Sequence, residues 1–390
     1  MATENNNKTL NVPNLRFPEF SREWDRIKVS DLLEFYPTNS LSWEQLDYSG
    51  KGIFNLHYGL IHKGLPTQVD VSENNLPTIK DEYIPKKMSL CQNGDVAFAD
   101  ASEDTNDVAK CIEFANCDEQ KIVCGLHTIH GRDTQNKTVT GYKGYAFSAR
   151  PFREQIRRLA QGTKIYSINS HNFSECYIGI PCKEEQSKIS NLLHTVDLRI
   201  ATQIKIIEKL KSLIKGLCQK LTQQDNPNTA LNDTLLCYSS TLQESSVQEA
   251  GDYPVYGATG VCGYTDTPEV DGDSILIIKD GASVGVTYYA SGKYSAIGTL
   301  NRLVAKRGYS LRYLYYCLKV FNFAPYRTGL AIPHIYFRDY GKAKVWCPSL
   351  DEQQRIADEL SKVELKIAIE KSLLEQLYSQ KRFLLQAMFI

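Results

Sequence analysis

The chain has 390 residues, with 45 basic residues balanced by 45 acidic ones and a hydrophobic share of 42%. This length leaves room for two or more domains with separate cores. The neutral total argues against a simple cationic nucleic-acid binder, although it leaves room for local basic faces.

The eleven cysteines are scattered, odd in number and without a C-x-x-C pair. This usage indicates reduced thiols rather than a disulfide framework. The N-terminal residues "MATENNNKTL" are polar and lack the apolar stretch of a secretory signal. No run approaches the roughly 18–20 apolar residues that span a bilayer. We therefore expect a cytoplasmic protein.

Residues 1–19 are a predicted N-terminal arm and 20–181 a predicted first domain. Its variable part, 20–161, has apolar runs separated by Gly, Asp and Asn turns, which predicts short strands with a few helical stretches. "QNGDVAFADAS" (92–102) returns as "VDGDSILIIKDGAS" (270–283). Each has an x-Gly-Asp turn, an apolar strand and a small polar loop, so the two variable segments share a strand-and-turn unit.

The first domain interleaves polar and basic residues with tyrosines in "HGRDTQNKTVTGYKGY" (130–145). Arg and Lys can read guanine, Asn and Gln can read adenine, and all of them can hold phosphate. For each single residue a solvated surface role remains the alternative. The predicted DNA contacts here are Arg132, Gln135, Asn136, Lys137 and Lys143.

Two further clusters in the first domain have metal-ligand chemistry. Cys124, His127 and His130, with Cys111 or Cys117 as a fourth, match no standard zinc spacing, so we interpret them as part of a strand-and-loop core and predict no metal. An acidic group could bind a cation or accept from cytosine N4, but a solvated loop is the preferred interpretation. Its members are Asp95, Asp100, Glu103, Asp104 and Asp107.

The chain contains a duplication. Gly162–Leu221 aligns with Gly329–Met388 at a fixed offset of 167 residues and without a gap. Pro181 then falls on Pro348, and "PCKEEQSKI" (181–189) on "PSLDEQQRI" (348–356). Each copy ends in apolar residues at 4-3-4-3 spacing, which predicts a coiled-coil helix over 182–225 and another over 349–390.

The predicted seam of this coiled coil is Ile189, Leu193, Val196, Ile200, Ile207, Leu210, Ile214 and Leu217 on the first helix, and Ile356, Leu360, Val363, Ile367, Leu374, Leu377 and Leu384 on the second. Gln203 and Glu370 interrupt it at equivalent positions, which predicts a polar layer that sets the register. The linker "TQQDNPNT" (222–229) is too short for a parallel return, so we expect antiparallel helices. Two amphipathic helices on a globular core are the alternative.

The start of each helix has its own signal. A proline precedes it, and Glu184, Glu185, Asp351 and Glu352 place negative charge in the first turns. The helix dipole favours such charge at an N-terminus.

The predicted second domain spans 226–348, with its variable part at 230–328. No G-x-x-x-x-G-K-[ST] loop, methyltransferase motif or nuclease strand with the expected acidic residue is present. The segment is again rich in basic, polar and aromatic residues. The predicted DNA contacts are Lys279, Tyr288, Lys293, Asn301, Arg302, Arg327 and His334.

Four motifs together resemble one family. "VPNLRFPEFSREW" (12–24), "YPVYGATGVCGYTD" (253–266), "DGDSILIIKDGASVG" (271–285) and the repeated P-x-x-[DE]-E-Q-x-[KR]-I are similar to the specificity (S) subunit of type I restriction–modification systems. The resemblance covers nearly the whole chain. It implies an α+β fold with two mixed α/β target-recognition domains at opposite ends of a long antiparallel two-helix coiled coil, related by pseudo-two-fold symmetry.

The resemblance also implies a function. Each recognition domain would read one half of a bipartite, asymmetric DNA sequence, and the helices would set the spacer and dock two methyltransferase (M) subunits, which carry the restriction (R) subunits. The chain itself would be non-catalytic, with S-adenosylmethionine, ATP and Mg on partner subunits. Glu185, Gln186, Glu352 and Gln353 are the candidate partner contacts. A coiled-coil scaffold with two protein-binding domains and no DNA role is the alternative.

Overall fold

The computed structural model describes residues 11–72, 76–117 and 119–390, so the first ten residues of the predicted N-terminal arm lie outside the described residues. The chain divides into two compact units. The first comprises Met1–Thr202 and Leu374–Ile390, and the second comprises Gln203–Leu373. Each unit therefore contains one recognition-type domain together with a stretch of both long helices, and the boundary falls inside the helices rather than at their ends.

The strands of the first unit are short. They are β1 (Asp25–Lys28), β2 (Glu34–Tyr36), β3 (Leu46–Asp47), β4 (Ile53–Leu56), β5 (Gln68–Asp70), β6 (Thr78–Ile79), β7 (Val96–Ala99), β8 (Ala101–Ser102), β9 (Cys111–Ala115), β10 (Lys121–Cys124), β11 (Thr128–Arg132), β12 (Tyr166–Ser167) and β13 (Tyr177–Ile180). Its helices are α1 (Val29–Leu32), α2 (Tyr58–His62), α3 (Tyr142–Ser148), α4 (Arg150–Leu159) and α5 (Ser170–Ser174), followed by the long α6 (Lys183–Thr222), which continues into the second unit.

A five-stranded sheet, in the order β2-β11-β7-β9-β5, lies beside a four-stranded one in the order β10-β4-β6-β3. The strand β7 is buried along its whole length, as expected for a strand that pairs with β11 on one side and β9 on the other. It begins after the Gln92–Gly94 turn, where Gly94 has φ 82°, a conformation that favours glycine. The second copy of this turn has Gly272 at φ 133°.

The second unit is also built from short strands and short helices. Its strands are β14 (Thr229–Ala230), β15 (Leu235–Ser239), β16 (Tyr253–Gly257), β17 (Gly260–Thr265), β18 (Val270–Asp271), β19 (Ser274–Ile278), β20 (Thr287–Ala290), β21 (Lys293–Ala296), β22 (Leu300–Ala305) and β23 (Lys344–Val345). Its helices are α7 (Leu231–Thr234), α8 (Leu311–Lys319) and α9 (Phe337–Tyr340), followed by the long α10 (Leu350–Ala387), which continues into the first unit. Two four-stranded sheets run in the orders β15-β22-β19-β20 and β17-β16-β21-β18.

The two long helices have 40 and 38 residues, or about 60 Å at 1.5 Å per residue. In the first unit Asp197 of α6 pairs with Lys381 of α10 at 2.6 Å. In the second unit Gln203 of α6 contacts Glu370 of α10. Within the same unit, Cys218, later in α6, shares a core cluster with Leu360, earlier in α10, so the helices run antiparallel there, as predicted. Every predicted seam residue is buried or half-buried.

Each helix begins where the proline and acidic residues predict. α6 starts two residues after Pro181, with Glu184 and Glu185 in its first turn. α10 starts two residues after Pro348, and the Ser349 hydroxyl accepts a hydrogen bond from the Glu352 backbone N–H at 3.3 Å. Such a serine satisfies one of the free N–H groups at a helix N-terminus. No helix in the described part of the chain is long and apolar enough to span a membrane.

A pair of tyrosines makes the same two contacts in each domain, one to the backbone just before the long helix and one to a carboxylate on that helix. In the first unit Tyr142 donates to the Gly179 backbone oxygen at 2.7 Å and Tyr145 donates to the Asp197 carboxylate at 2.9 Å. Both rings are fully buried. In the second unit the counterparts are Tyr313, on the Trp346 oxygen at 2.6 Å, and Tyr316, on the Glu364 carboxylate at 2.8 Å. The acceptors of the two pairs differ by 167 positions, which is the offset of the duplication.

Candidate nucleic-acid interface

The turn after β11 is an exposed, preorganised tip of the first domain. The Asp133 carboxylate accepts hydrogen bonds from the Gln135 backbone at 3.2 Å and from the backbone and hydroxyl of Thr138 at 2.7 Å each. Asn136 takes a left-handed conformation with φ 51°, which asparagine tolerates better than most residues. Gln135 and Asn136 are exposed on this fixed turn, so their amide groups are available for base edges.

The Arg132 side chain, beside this turn, is bound to a carboxylate of its own chain. Its Nε and Nη2 donate to the two oxygens of Asp95 at 2.8 and 2.7 Å, and its guanidinium lies 4.6 Å from the centre of the Tyr36 ring. Burial alone would raise the pKa of Asp95, but the hydrogen bonds from Arg132, and then from His130, outweigh burial and lower it. Arg132 and Asn136 line a polar cavity of about 390 Å³. Arg132 therefore serves as a fixed wall of this cavity rather than as a free side chain.

The structure does not support a DNA contact for Lys143. This residue is 2% exposed, and its ammonium lies 3.2 Å from the Glu113 carboxylate and 2.8 Å from the Thr138 hydroxyl. Burial raises the pKa of Glu113, while the Lys143 charge and the Gly144 N–H oppose that shift. A buried lysine needs such a partner, so Lys143 is structural. Lys137 lies nearer the surface and donates to the Asp31 backbone oxygen at 3.0 Å.

The second domain presents basic side chains on aromatic rings. The Arg302 guanidinium on β22 lies 4.4 Å from the centre of the Tyr238 ring, and the Lys293 ammonium lies 5.8 Å from that of Tyr253. Such rings hold a cation in place while leaving its other protons free. Lys293 is exposed and Arg302 is half-buried. Lys279 follows β19 and is half-buried as well.

Two of the predicted contacts in this domain are held by the protein itself. Asn301 is 5% exposed, and its side-chain oxygen accepts from the Ser239 hydroxyl at 3.0 Å. The structure therefore does not support a base contact for Asn301, because it lies inside the sheet. Tyr288 is half-buried, and its hydroxyl donates to the Ala258 backbone oxygen at 2.9 Å.

The two remaining predicted DNA contacts, Arg327 and His334, lie at or next to the ends of a closed loop. Thr328 and His334 exchange two backbone hydrogen bonds, at 2.9 and 2.7 Å, which leaves Leu330 and Ile332 exposed at the tip. The His334 ring lies 2.8 Å from Asp280. Nearby, Arg327 donates to the Val284 backbone oxygen at 3.0 Å with its side chain exposed. The loop therefore presents apolar and basic groups together.

The first domain contains the same loop at an offset of 167. Gln161 and Ser167 exchange backbone hydrogen bonds at 3.0 and 2.8 Å, and Ile165 is exposed at the tip as Ile332 is in the second loop. Gly162 and Gly329 both have positive φ, and a Cβ on either would meet a carbonyl oxygen within the loop at 2.3 Å or less. Both loops therefore require glycine at this position. The gapless offset of 167 places Ile165 on Ile332, but the sequence alone does not show the loops.

The comparison with known families is consistent with this repetition. The family described as the type I restriction modification DNA specificity domain matches residues 22–212 and again residues 239–379. The chain belongs to this family. The two matches cover most of both units, each with its stretch of long helix.

Individual members and structures of specificity subunits are similar to the chain. It is 30% identical over 89 residues to a Haemophilus influenzae protein, provisionally named type I restriction enzyme specificity subunit S.HindORF215P, and the match spans 22% of this chain and 23% of that relative. The crystal structure of a type I restriction-modification S subunit from M. genitalium superposes with a TM-score of 0.59 at 18% identity, covering 97% of this chain and 99% of the other.

A second solved structure comes from work on complex assembly and conformational transition of the type I R-M system. It has a TM-score of 0.57 at 14% identity and covers 93% of this chain and 96% of the other. At these identities the two structures establish a shared fold. They support the predicted architecture of two mixed α/β recognition domains joined to two long helices.

Within this family assignment, three of the four residues expected to contact a partner subunit are internal. Glu185, Gln186 and Gln353 are each 1% exposed or less. Arg16 donates two hydrogen bonds of 2.7 Å to the Glu185 carboxylate. The structure does not support the prediction for these three residues, because their polar atoms bind their own chain. Glu352 is half-buried and pairs with Arg355 on the surface of α10, so for Glu352 the contact stays a prediction.

The two glutamines of the repeated motif instead join each long helix to its specificity domain. The Gln186 side chain accepts from the Val139 N–H at 2.9 Å and donates to the Pro181 oxygen at 2.8 Å. The Gln353 side chain accepts from the Ser310 N–H at 2.9 Å and donates to the Pro348 oxygen at 2.9 Å. Ser310 caps α8, and Val139 precedes α3, so each glutamine binds the start of the helix that carries the tyrosine pair.

Neither of the two sequence clusters with metal-ligand chemistry stays together as a whole in the structure. His127 is exposed and lies 3.1 Å from Asp100, away from the buried His130. Asp104 accepts a hydrogen bond from the Asn106 N–H at 2.8 Å within its own loop. The acidic residues thus have separate roles, and Asp95 is buried while the others lie at the surface or are half-buried.

Proposed function

We propose that this chain is the DNA-recognition subunit of a type I restriction–modification complex, and that each of its two domains reads one half of a bipartite, asymmetric DNA sequence. The observation that carries the proposal is the double match to the family of specificity domains, one match in each half of the chain. The repeated glycine loop and the exposed polar groups of each domain support it, because two similar but non-identical surfaces suit two different half-sites.

The chemistry of the exposed residues suits DNA. Gln135 and Asn136 present amides on a fixed turn, which is the arrangement that reads adenine. Lys293, Arg302 and Arg327 present cations in the second domain, where they would bind phosphate or guanine. The proposal requires no net positive charge, because phosphate contacts can be shared with other subunits. It places this chain in a non-catalytic role in the cytoplasm, with S-adenosylmethionine, ATP and Mg on those subunits.

The long helices offer a surface for the methyltransferase subunits. Leu365, Ile369 and Leu373 are exposed on α10 at intervals of four residues, so they form one apolar row. Ile206 and Leu213 are exposed on α6. The seam does not use these side chains, and exposed apolar patches of this kind are typical of protein interfaces. We therefore include docking of two methyltransferase subunits, and through them of restriction subunits, in the proposal.

A domain exchange tests the function. Residues 230–328 would be replaced by the equivalent segment of another family member, and the chain assembled with its methyltransferase subunits would be used to map methylated sequences. We expect one half of the recognised sequence to change while the other half stays the same. The reciprocal exchange of residues 20–161 is the matched control and should alter only the other half. A change in both halves, or in neither, would contradict the proposal.

A further inference from the structure

Three buried side chains of the first domain meet at one point. Cys91 lies before β7, Cys124 ends β10 and His130 lies in the middle of β11. One potential ligand atom from each lies within 4.8 Å of the other two. The side chains are 5% exposed or less. Three segments of the chain thus converge on a small group of sulfur and nitrogen atoms.

The hydrogen bond of His130 to Asp95 determines which of its ring nitrogens is free to bind a metal ion. Its Nε2 lies 2.8 Å from the Asp95 carboxylate, which also holds Arg132. A carboxylate accepts only, so in the neutral imidazole Nε2 carries the proton and Nδ1 carries a lone pair. Nδ1 is buried and has no hydrogen-bond partner in the described part of the chain. A buried nitrogen without a partner is destabilising, so this lone pair points to a missing ligand.

The sulfur atoms have the spacing that a metal ion requires. Two thiolates about 2.3 Å from a tetrahedral zinc ion lie roughly 3.8 Å apart, and the Cys91 and Cys124 sulfurs are 3.6 Å apart. The pairing of Asp95 with Nε2 is the arrangement that orients histidine ligands of zinc. Sulfur and imidazole donors together favour zinc over magnesium or calcium.

From these contacts we propose that Cys91, Cys124 and His130 Nδ1 bind a zinc ion in the first recognition domain, with Asp95 as the residue that orients the histidine. Cys124 also lines a cavity of about 460 Å³, and a water molecule from this side would supply the fourth ligand. The ion ties β10 and β11 to the segment before β7. The site lies beside the Arg132–Asp95 pair and fixes one wall of the candidate DNA surface. No standard zinc spacing marks it in the sequence, because 32 residues separate the two cysteines.

Metal analysis tests this proposal without any assumption about DNA binding. The full-length chain would be purified without a histidine tag in buffers free of chelators, and zinc would be measured by mass spectrometry. We expect one zinc ion per chain. Exchange with Co²⁺ should give the visible absorption of a tetrahedral site and a thiolate charge-transfer band. The wild-type spectrum decides the question even where a variant fails to fold.

Variants locate the site. C91S and C124S should lose the charge-transfer band, whereas C111S, which changes another buried cysteine of the same domain, should keep it. D95N should weaken metal affinity about 10–100-fold, as loss of an orienting partner does at other zinc sites. A wild-type chain that takes up neither zinc nor cobalt would overturn the proposal. So would a disulfide between Cys91 and Cys124 in anaerobically purified protein, or full metal content in both C91S and C124S.

Discussion

Gln203 donates a hydrogen bond to the backbone oxygen of Glu370 at 3.0 Å, and it also contacts the Glu370 carboxylate. The two residues stand at equivalent positions of the two sequence copies, 167 residues apart. In an antiparallel helix pair, equivalent residues of the two copies meet at only one level. The predicted polar layer is therefore present, and both side chains are buried among apolar seam residues.

Replacing both members of this polar layer should be better tolerated than replacing Gln203 alone. The Lys366 ammonium, followed by Gln203, lowers the pKa of Glu370, so the carboxylate is charged at neutral pH. We expect the double variant Q203L/E370L to unfold at a higher temperature than Q203L alone, because the single change leaves a charged group against apolar residues. Thermal unfolding of the wild type, both single variants and the double variant measures this. Equal or lower stability of the double variant relative to Q203L would contradict it.

The Gln353 side chain should be a strong determinant of stability in the second unit. It is the acceptor for the buried Ser310 N–H. In Q353A that N–H loses its partner, which should lower the free energy of unfolding by about 1–3 kcal/mol. Q354A is the matched control, since Gln354 is the exposed neighbour. Urea unfolding of the two variants gives the comparison, and a Q353A protein as stable as Q354A would show that the glutamine is not a structural contact.

The sequence alone predicts the duplication and the pair of long helices, because both are visible as periodic patterns. A gapless offset of 167 shows the duplication, and a 3.5-residue repeat shows the helix pair. The same offset does not reveal that the two tyrosine pairs correspond to each other. Tyr142 and Tyr313 are 171 residues apart, not 167, so they lie outside the gapless register that begins at Gly162.

The structure departs from the predicted contacts at residues whose burial depends on the order of the strands. Lys143 sits among tyrosines and glycines and has the composition of a nucleic-acid contact. Its partner Glu113 is 30 residues earlier on β9, and only the packing of α3 against that strand brings them together. Cys91 and Cys124 meet for the same reason. The repeated glutamines resemble surface polar residues, because nothing in the local sequence shows which backbone N–H groups they bind.

The buried Lys143–Glu113 pair gives a pH-dependent prediction. K143M leaves the Glu113 carboxylate buried without its partner, which should cost about 3–5 kcal/mol at neutral pH. Burial raises the folded-state pKa of Glu113 above its ordinary value, and removal of Lys143 raises it further. The cost should therefore be small below about pH 4, where the carboxyl is neutral in both states, and should grow as pH rises through the raised folded pKa.

Unfolding of K143M at several pH values, with the exposed Lys164 changed to Met as control, measures this dependence. The double variant K143M/E113Q should recover part of the loss at neutral pH, because it has no buried charge at this site. A loss that is the same at acid and neutral pH would show that Glu113 is not the cause.

The exposed tip of the first domain should affect recognition and not stability. Gln135 and Asn136 make no structural contact with their side-chain amides among the bonds that hold this turn. In the assembled complex, Q135A and N136A should each reduce discrimination in one half-site by about 1–3 kcal/mol if the amide reads a base. Methylation of a library of target sequences measures this, with Q354A as a control amide on α10. Unchanged half-site preference in both variants would exclude the tip from base reading.

The paired helices should set the spacer between the half-sites. Residues 200–206 and 367–373 are equivalent heptads that surround Gln203 and Glu370. Their joint removal brings Ile207 four residues after Val196, and Leu374 four residues after Val363, so the seam spacing is preserved. It also retains Asp197 and Glu364, which bind the tyrosines of each domain. Each helix shortens by about 10 Å, which corresponds to roughly three base pairs of B-DNA at 3.4 Å per step.

We expect the complex with both deletions to recognise the same two half-sites with a shorter spacer. Removal of only one of the two heptads is the matched control. It puts the facing seams out of register and should abolish binding, because the apolar side chains of one helix no longer meet those of the other. The deletions also remove Ile206, Ile369 and Leu373 of the proposed docking surface, so the spacer is measured by selecting bound sequences from a random DNA library, which does not require methylation. Unaltered half-sites at the original spacing in the double deletion would show that the helices do not determine the distance between them.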